Sequence, residues 1–304
     1  SPTVRFTWAD IPLGSTYTFS FDASLDVTVG PLQTLTNTAD LTWTTLAGPD
    51  PNERDYTDSD AVDVGTTVPT LTKSLVSTSL PETGTSQHDP SVTDVNVGET
   101  VTYAITVTML EGTAQLVVTD DLPDVMTVVS ARVLSLGANI TTTGLGVNGP
   151  AALADVNFSD GLPDRAVFNL GTVVNTPDGV QNAADQIVLE VIARVDENAA
   201  NVDAAALTNT ATLNYQVGTD SDTTTIEGTE PLLQITKSAL VVTGRPGDLI
   251  EYTLVVEHQA GSTGPAYDLV ITDPLLTDLN LAVGSVTTTR GMITSGNAAG
   301  DIAL

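Results

Sequence analysis

Polar and apolar residues alternate with a period of two along most of this chain. The alternation is clearest in residues 99–108, 186–195 and 251–257, where every second side chain is apolar. This period is that of a β-strand with one buried face and one wet face. Turn clusters such as residues 176–179 separate the strands, and only residues 196–206 resemble a short helix. The pattern predicts an all-β protein made of antiparallel, immunoglobulin-like β-sandwiches.

Several of the predicted strands occur twice in the sequence. Residues 35–43 (LTNTADLTW) recur as residues 207–215 (LTNTATLNY). Residues 98–103 (GETVTY) recur as residues 247–252 (GDLIEY). Because repeated phrases at long spacing are typical of tandem domains, the sandwiches are predicted to be copies of one repeat unit.

The order of these phrases predicts three domain segments. Residues 70–229 contain every phrase once and form one complete domain. Residues 1–69 match only the second half of that domain, and residues 230–304 match only its first half. We expect residues 230–304 to be completed by residues 1–69 of the next copy in a head-to-tail homopolymer or tandem array, because a half-sandwich exposes apolar faces and open sheet edges. The alternative is an arbitrary excerpt of a longer protein.

Composition excludes several partners and chemistries. The chain has 304 residues, with Lys+Arg 9 against Asp+Glu 38, and a formal net charge of -29. That sign is wrong for nucleic acid and for an anionic membrane surface. No cysteine is present, which excludes disulfides and thiolate chemistry. No apolar run approaches the length of a membrane span, so no membrane insertion is expected.

The chain contains only two lysines, and both occupy the same position of a repeated phrase. Lys73 lies in residues 71–75 (LTKSL), and Lys237 lies in residues 235–239 (ITKSA). A sequence that avoids lysine elsewhere has no need of it here as a mere solvated charge. The position therefore predicts a specific use of the amine.

The strand phrases together resemble the surface repeats of isopeptide-forming fimbrial proteins and giant bacterial surface adhesins. The resemblance covers nearly the whole chain, from the lysine strand to the Leu-Thr-Asn-Thr-Ala strand. It implies that a lysine on the first strand and an asparagine on the last strand join spontaneously, helped by a buried acid. Carried onto this sequence, the triad is Lys73, Asp120 and Asn209.

The same resemblance implies a second triad shared between copies. Its members are Lys237, Asp273 and Asn37, with Asn37 supplied by the neighbouring copy. Pro274 follows Asp273 directly, which departs from the Asp-Asp-Leu-Pro phrase of the complete domain.

The residue types suit the chemistry that the resemblance implies. A lysine amine attacks an amide carbon only when it is neutral, and burial lowers its pKa. A protonated carboxyl next to the asparagine would polarise the amide, and ammonia would leave. The alternative is that these buried polar groups form hydrogen bonds and no covalent bond.

Acidic stretches that we expect to be linkers between domains are candidates for calcium. Carboxylates are the ligands that Ca²⁺ prefers. No other cofactor is expected, and a solvated acidic surface is the alternative to a calcium site. The candidate ligands are Asp55, Asp58, Asp60, Asp220 and Asp222.

Three classes of function follow from these features. The first is a structural module of an extracellular filament or giant cell-surface fibre, stiffened by Lys-Asn isopeptide bonds. The second is an adhesive or carbohydrate-binding module, although aromatic residues make up only 4% of the chain and Trp8 and Trp43 are expected in the core. The third, an enzyme, is not supported, because an isopeptide triad acts once on its own chain.

Overall fold

The computed structural model describes residues 2–26, 28–80, 83, 88–156 and 161–295. Within these residues every regular element is a β-strand, apart from single turns of 3-10 helix such as Ala183–Asp185. The prediction of an all-β chain with antiparallel sandwich sheets is confirmed. The described residues hold no helix long and apolar enough to cross a membrane.

The chain divides into two compact units, residues 1–229 and residues 230–304. Fifteen strands are present in the described residues. They are β1 Thr34–Thr44, β2 Asp55–Gly65, β3 Thr70–Thr78, β4 Thr93–Asn96, β5 Thr100–Thr108, β6 Gly112–Asp121, β7 Met126–Leu136, β8 Ile140–Thr142, β9 Ala152–Ala154, β10 Arg165–Asn175, β11 Gln186–Val195, β12 Ala206–Tyr215, β13 Gly218–Thr229, β14 Leu233–Ala239 and β15 Tyr252–His258.

Strands β3 to β13 form a sandwich of two sheets. One sheet has the order β4-β13-β12-β6-β10-β8, with β9 also paired to β10, and the other has the order β3-β5-β11-β7. All neighbours are antiparallel except β4 and β13. We call this sandwich, residues 70–229, the complete domain. The helix-like residues 196–206 form turns before β12 and no helix.

The core of the complete domain comes from the inward-facing residues of both sheets. In β5 the buried and half-buried side chains alternate strictly, as the sequence pattern predicts. Tyr103, Leu116, Phe168, Leu189 and Leu213 are fully enclosed by their neighbours. Because both sheets contribute to one core, a side chain from one sheet can reach a side chain of the other.

Residues 2–65 contain the hairpin of β1 and β2 and little other regular structure. The two strands pair along their whole length, from Thr34 with Gly65 to Thr44 with Asp55. Almost all of their residues are exposed on both faces. We call residues 2–65 the amino-terminal half. Its Trp8 and Trp43 are 44% and 43% exposed, so the expectation that they are core residues is wrong for this chain.

The second unit contains one hairpin, made by β14 and β15. Its register from Leu233 with His258 to Ala239 with Tyr252 places Lys237 opposite Leu254. We call residues 230–295 the carboxy-terminal half. Like the first hairpin, it has large apolar side chains that are exposed, such as Ile235 and Val255.

A tight turn precedes the tyrosine strand in both the complete domain and the carboxy-terminal half. Gly98 and Gly247 adopt positive φ angles of 91° and 94°, a conformation that glycine tolerates best. The acid that follows each glycine, Glu99 or Asp248, accepts a hydrogen bond from the backbone amide three residues earlier. The repeated Gly-acid phrase therefore encodes the same local turn twice.

Candidate isopeptide site

Lys73 lies on β3 with its side chain directed into the sandwich. Buried and exposed residues alternate along β3, and Lys73 takes a buried position two residues after Leu71. No part of its side chain is exposed to solvent. An amine in such a place needs a partner, because an unpaired buried charge is strongly unfavourable.

Asp120 and Asn209 approach the lysine from the opposite sheet. Strands β6 and β12 are neighbours, with Asp120 opposite Ala211. Asn209 occupies the inward position of β12 that precedes Ala211. The Lys73 ammonium forms an ion pair with Asp120 Oδ1. The Asn209 amide donates a hydrogen bond to Asp120 Oδ2 over 3.2 Å. The structure thus brings the three predicted residues together, with the carboxyl group of Asp120 bridging the other two.

The asparagine lies on the penultimate strand of the complete domain. Residue 209 is in β12, and β13 follows it in the same sheet. The expectation that the pair joins the first and last strands is therefore wrong by one strand. The last strand, β13, is polar, and its alternation of Thr and Asp carries little apolar signal in the sequence.

Burial shifts the pKa values of the lysine and the aspartate in opposite directions. Burial lowers the pKa of Lys73 below its usual 10.5, and the Asp120 charge only partly opposes this change. Burial raises the pKa of Asp120 above its usual 3.8, again opposed in part by Lys73. Both shifts favour the neutral forms, and a neutral amine beside a protonated carboxyl is the arrangement that acyl transfer from an amide requires.

The amide oxygen of Asn209 is buried and accepts no hydrogen bond within the described residues. The two ends of an asparagine side chain are nearly alike in shape, so a half-turn about the last bond exchanges them. With that turn the oxygen would face Asp120, and a protonated Asp120 could donate to it. The unsatisfied oxygen and the raised pKa of Asp120 favour this orientation together.

Tyr103 completes the surroundings of the amine and was not identified as a site residue from the sequence. The Lys73 nitrogen lies 4.7 Å from the centre of its ring. The ring is fully buried, and burial also raises the pKa of its hydroxyl group. The sequence does contain a signal for this residue, because both copies of the repeated Gly-acid phrase end in tyrosine.

Asp220 and Asp222 contact the lysine strand through its backbone. Asp220 Oδ2 accepts a hydrogen bond from the Leu71 amide, and Asp222 Oδ2 accepts one from the Lys73 amide, both over 2.7 Å. These bonds connect β13 in one sheet to the edge strand β3 of the other. They hold the backbone of β3 at Lys73 and two residues before it.

The acidic residues predicted as calcium ligands lie on strands and not on linkers. Asp55, Asp58 and Asp60 belong to β2, and Asp220 and Asp222 belong to β13. In the part of the chain that the structure describes, no three carboxylates or imidazoles are close enough to hold a metal ion together. Asp220 and Asp222 have backbone amides as partners where the calcium hypothesis required an ion.

The carboxy-terminal half contains two members of the second predicted triad, the lysine and the aspartate, in contact with each other. The Lys237 amine contacts both carboxylate oxygens of Asp273, over 2.6 and 2.7 Å. The same amine lies 4.7 Å from the centre of the Tyr252 ring. The Lys237 side chain is 42% exposed, and Asn37, the predicted third member, lies on the exposed β1 of the other unit.

No family model and no curated protein matches the chain. Solved structures do match. BspA_C_mut has 12% identity and a TM-score of 0.33, over 57% of this chain and 50% of that one. BcpA, the major pilin subunit of Bacillus cereus, has 12% identity and a TM-score of 0.33, over 72% and 71%. The N-terminal domain of the Streptococcus gordonii adhesin Sgo0707 has 12% identity and a TM-score of 0.29, over 57% and 37%.

A major pilin and a surface adhesin are thus among the structures to which this chain is similar, and the predicted resemblance is confirmed at that level. The chain spans half the length of BspA_C_mut and less of the adhesin structure. At such identities and TM-scores the roles of those proteins do not transfer to individual residues of this chain.

Proposed function

We propose that this chain is a structural module of an extracellular filament or giant cell-surface fibre, and that its complete domain is closed by an isopeptide bond between Lys73 and Asn209. One observation carries the proposal. A fully buried lysine contacts an aspartate with a raised pKa, and that aspartate contacts a buried asparagine. Such an enclosed set serves no external substrate, because solvent does not reach the lysine or the aspartate.

The reaction balances within the three side chains. Lys73 Nζ, in its neutral form, attacks Asn209 Cγ while Asp120 donates a proton to the amide oxygen. Asp120 then takes a proton from the attacking nitrogen and transfers it to Asn209 Nδ2. The Cγ–Nδ2 bond then breaks and ammonia leaves, while the proton on the amide oxygen returns to Asp120. Asp120 therefore ends protonated, as it began. The product is one secondary amide between β3 and β12.

The bond would change how the domain carries tension. Force applied at residues 70 and 229 would pass through the cross-link, so residues 74–208 could not extend. Because β13 lies outside the closed loop, the end of β12 and all of β13 could still peel away. We expect an extension of roughly 80 Å with the bond, against roughly 550 Å without it, at about 3.5 Å per residue.

The reaction does not make the protein an enzyme. Each triad acts once, consumes its own lysine and asparagine, and regenerates only the aspartate. The cross-link would also supply what disulfides supply in other extracellular domains, in a chain that has no cysteine.

The adhesive alternative is favoured by one observation, which is the set of exposed aromatic rings in the amino-terminal half. Phe6 lies 3.7 Å from Phe19, and Trp43 stacks on Tyr56 at 5.4 Å between ring centres. Such rings could bind a carbohydrate. However, the residues at the matching places of the repeat, Phe168 for Phe6 and Tyr215 for Trp43, are core residues of the complete domain. The rings therefore fit an uncovered core better than a binding platform.

Mass spectrometry of the intact chain tests the cross-link, with the Asp120→Ala variant as control. The proposal predicts that the wild-type chain is lighter than its sequence by one ammonia, and that a protease digest contains residues 73 and 209 in one branched peptide. The control should have its full sequence mass. An unmodified wild-type mass would refute the bond.

Single-molecule pulling between the ends of the complete domain tests the fibre role. A wild-type domain that extends as far as the Asp120→Ala variant would contradict a load-bearing function. Binding of the chain to glycan surfaces that disappears in a Phe6→Ala, Trp43→Ala variant would support the adhesive alternative.

A further inference from the structure

The residues of the amino-terminal half match those of β12 and β13 place by place. Asn37 is opposite Val62 in the β1–β2 pair, as Asn209 is opposite Thr224 in the β12–β13 pair. Leu41 is opposite Asp58, as Leu213 is opposite Asp220. By the same register Asp58 and Asp60 occupy the places of Asp220 and Asp222.

The two pairs of aspartates also share one side-chain arrangement. Asp220 and Asp222 each accept the amide of the next residue at Oδ1, over 3.0 and 2.8 Å, and use Oδ2 for β3. Asp58 and Asp60 accept the amide of the next residue at Oδ1 in the same way, over 3.0 and 2.9 Å. Their Oδ2 atoms have no hydrogen-bond donor within the described residues.

The carboxy-terminal half matches β3 and β5 equally closely. Lys73 is opposite Ile105, and Lys237 is opposite Leu254. The amides that Asp220 and Asp222 bind belong to Leu71 and Lys73, and the corresponding residues of β14 are Ile235 and Lys237. Each half therefore contains the groups that the other half lacks.

We propose that Asp58 and Asp60 of one copy bind the backbone amides of Ile235 and Lys237 in strand β14 of a second copy of this chain. This contact would align β14 on the β1–β2 hairpin as β3 is aligned on the β12–β13 pair. It rests on the proposed fibre function and names the contact by which successive modules join. The aspartates predicted as calcium ligands thus become residues that position a strand.

The alignment has a chemical consequence at the junction. It places Lys237, already paired with Asp273, next to Asn37 of the other copy. Lys237 Nζ would attack Asn37 Cγ, the Cγ–Nδ2 bond would break, and the proton lost by Nζ would pass through Asp273 to the departing ammonia. The junction would then become covalent without any further reactant.

Apolar surface supplies a second reason for this partner. Leu269 and Ile271 in the carboxy-terminal half are each 50% exposed, whereas Leu116 and Val118 at the matching places are fully buried. Trp43 and Leu41 on β1 are 43% and 49% exposed, against 6% for Tyr215 and 0% for Leu213. A second copy would bring these two uncovered faces together, as the matching residues are packed into one core in the complete domain.

The test is a denaturing gel of the full chain incubated at high concentration. Each copy carries a net charge of -29, so moderate salt is needed to limit repulsion between copies. We expect a ladder of covalent multimers that resist boiling in detergent. The multimers should also contain a branched peptide that joins residues 37 and 237.

Variants separate the docking contact from the chemistry. Asp58→Ala with Asp60→Ala should weaken assembly at least tenfold per carboxylate, since a charged acceptor contributes more than one decade of affinity. Asp40→Ala with Asp63→Ala removes the same charge from the other face of the same hairpin, which does not carry Asn37, Asp58 or Asp60. This variant should leave the ladder unchanged. A ladder that survives in the first variant, or disappears equally in the second, would overturn the proposal.

The complete domain serves as an internal control for folding and for the proposed function. The Asp58→Ala, Asp60→Ala variant should still lose one ammonia through Lys73 and Asn209, because residues 70–229 are unaltered. Wild-type monomers that lose this ammonia and never form multimers would refute the junction and leave the intramolecular bond intact. Multimers whose complete domains have not lost an ammonia would refute only the bond between Lys73 and Asn209.

Discussion

The two lysines of the chain lie in the same local structure but in different surroundings. Each has an aspartate beside it, each lies 4.7 Å from a tyrosine ring centre, and each follows the same strand register. The Lys73 side chain is fully buried, whereas 42% of the Lys237 side chain is exposed. Burial lowers the pKa of the Lys73 amine.

The comparison shows which part of the site is local and which part is not. The first half of the repeat, β3 to β6 in the complete domain and residues 233–273 in the carboxy-terminal half, suffices to place the lysine, the aspartate and the tyrosine. The second half supplies the asparagine and excludes water, and only water exclusion shifts the pKa values toward the neutral forms. The proposed reaction therefore requires a completed sandwich and not the lysine strand alone.

The largest difference between the two sites should appear when their aspartates are removed. Asp120→Ala loses the cross-link, worth about 5 kcal/mol on the chain-entropy model, and also leaves Lys73 buried without a partner, at about 3–5 kcal/mol. We expect the complete domain to lose most of its stability. Asp273→Ala in dilute monomer should change the free energy of unfolding by about 1 kcal/mol or less, because Lys237 reaches water. Urea unfolding followed by circular dichroism measures both.

A control separates the bond from the buried charge. Lys73→Met with Asp120→Leu removes both charges and keeps the volume, so it should lose only the contribution of the bond. If this double variant is as unstable as Asp120→Ala, the unpaired buried lysine does not reduce the free energy of unfolding. The interpretation of the site would then be incorrect.

The next largest difference should come from the matched leucines that lie four residues before each aspartate. Leu116→Ala creates a cavity in a closed core and should cost about 2–5 kcal/mol. Leu269→Ala, at the matching place of the carboxy-terminal half, should cost within about 0.5 kcal/mol in dilute monomer, because the side chain is half exposed. Equal losses in urea unfolding would mean that the carboxy-terminal half has a core of its own.

A smaller difference is expected for the aspartates that bind backbone amides. Asp222→Ala removes the charged acceptor of the Lys73 amide and should cost about 1.5–3 kcal/mol, whereas Asp222→Asn keeps an acceptor and should cost less. Asp60→Ala in dilute monomer should have almost no effect, since its free oxygen has no donor there. A large effect of Asp60→Ala on the monomer would show that the residue already has a structural role within one copy.

The final difference concerns rate and not stability. The reactive state of Lys73 and Asp120 holds one proton, so cross-linking should slow when the pair gains a second proton in acid or loses its only proton in alkali. The raised pKa of Asp120 moves the acid limb above 3.8, and the lowered pKa of Lys73 moves the alkaline limb below 10.5. Unreacted chain refolded from denaturant across this range, with gel mobility as the readout, should give a bell-shaped profile. A rate that rises steadily to high pH would exclude the role of a protonated Asp120.

Much of this arrangement could be predicted from the sequence. The period-two alternation identified β5, β11 and β15, and the repeated phrases identified the strands that carry Lys73 and Asn209. These signals are local, since alternation reports which face of a strand is buried. The scarcity of lysine then drew attention to Lys73, which the structure places beside Asp120.

The other features of the site depend on contacts between strands that are far apart in the sequence. The sequence predicts Asp220 and Asp222 as calcium ligands because clustered carboxylates suit Ca²⁺, with a solvated acidic surface as the alternative. Only the packing of β13 against the edge of β3 shows that they bind amides. Tyr103 was missed because a core tyrosine and a tyrosine beside an amine have the same sequence pattern.

The most direct test of the central claim is the mass of the dilute, monomeric chain together with its branched peptides. If reactivity requires a completed sandwich, the monomer should lose one ammonia and not two, with residues 73 and 209 joined and Lys237 unmodified. A monomer that keeps its full sequence mass would show that the enclosed site does not react. A monomer in which Lys237 is also joined to an asparagine would show that a completed sandwich is not required.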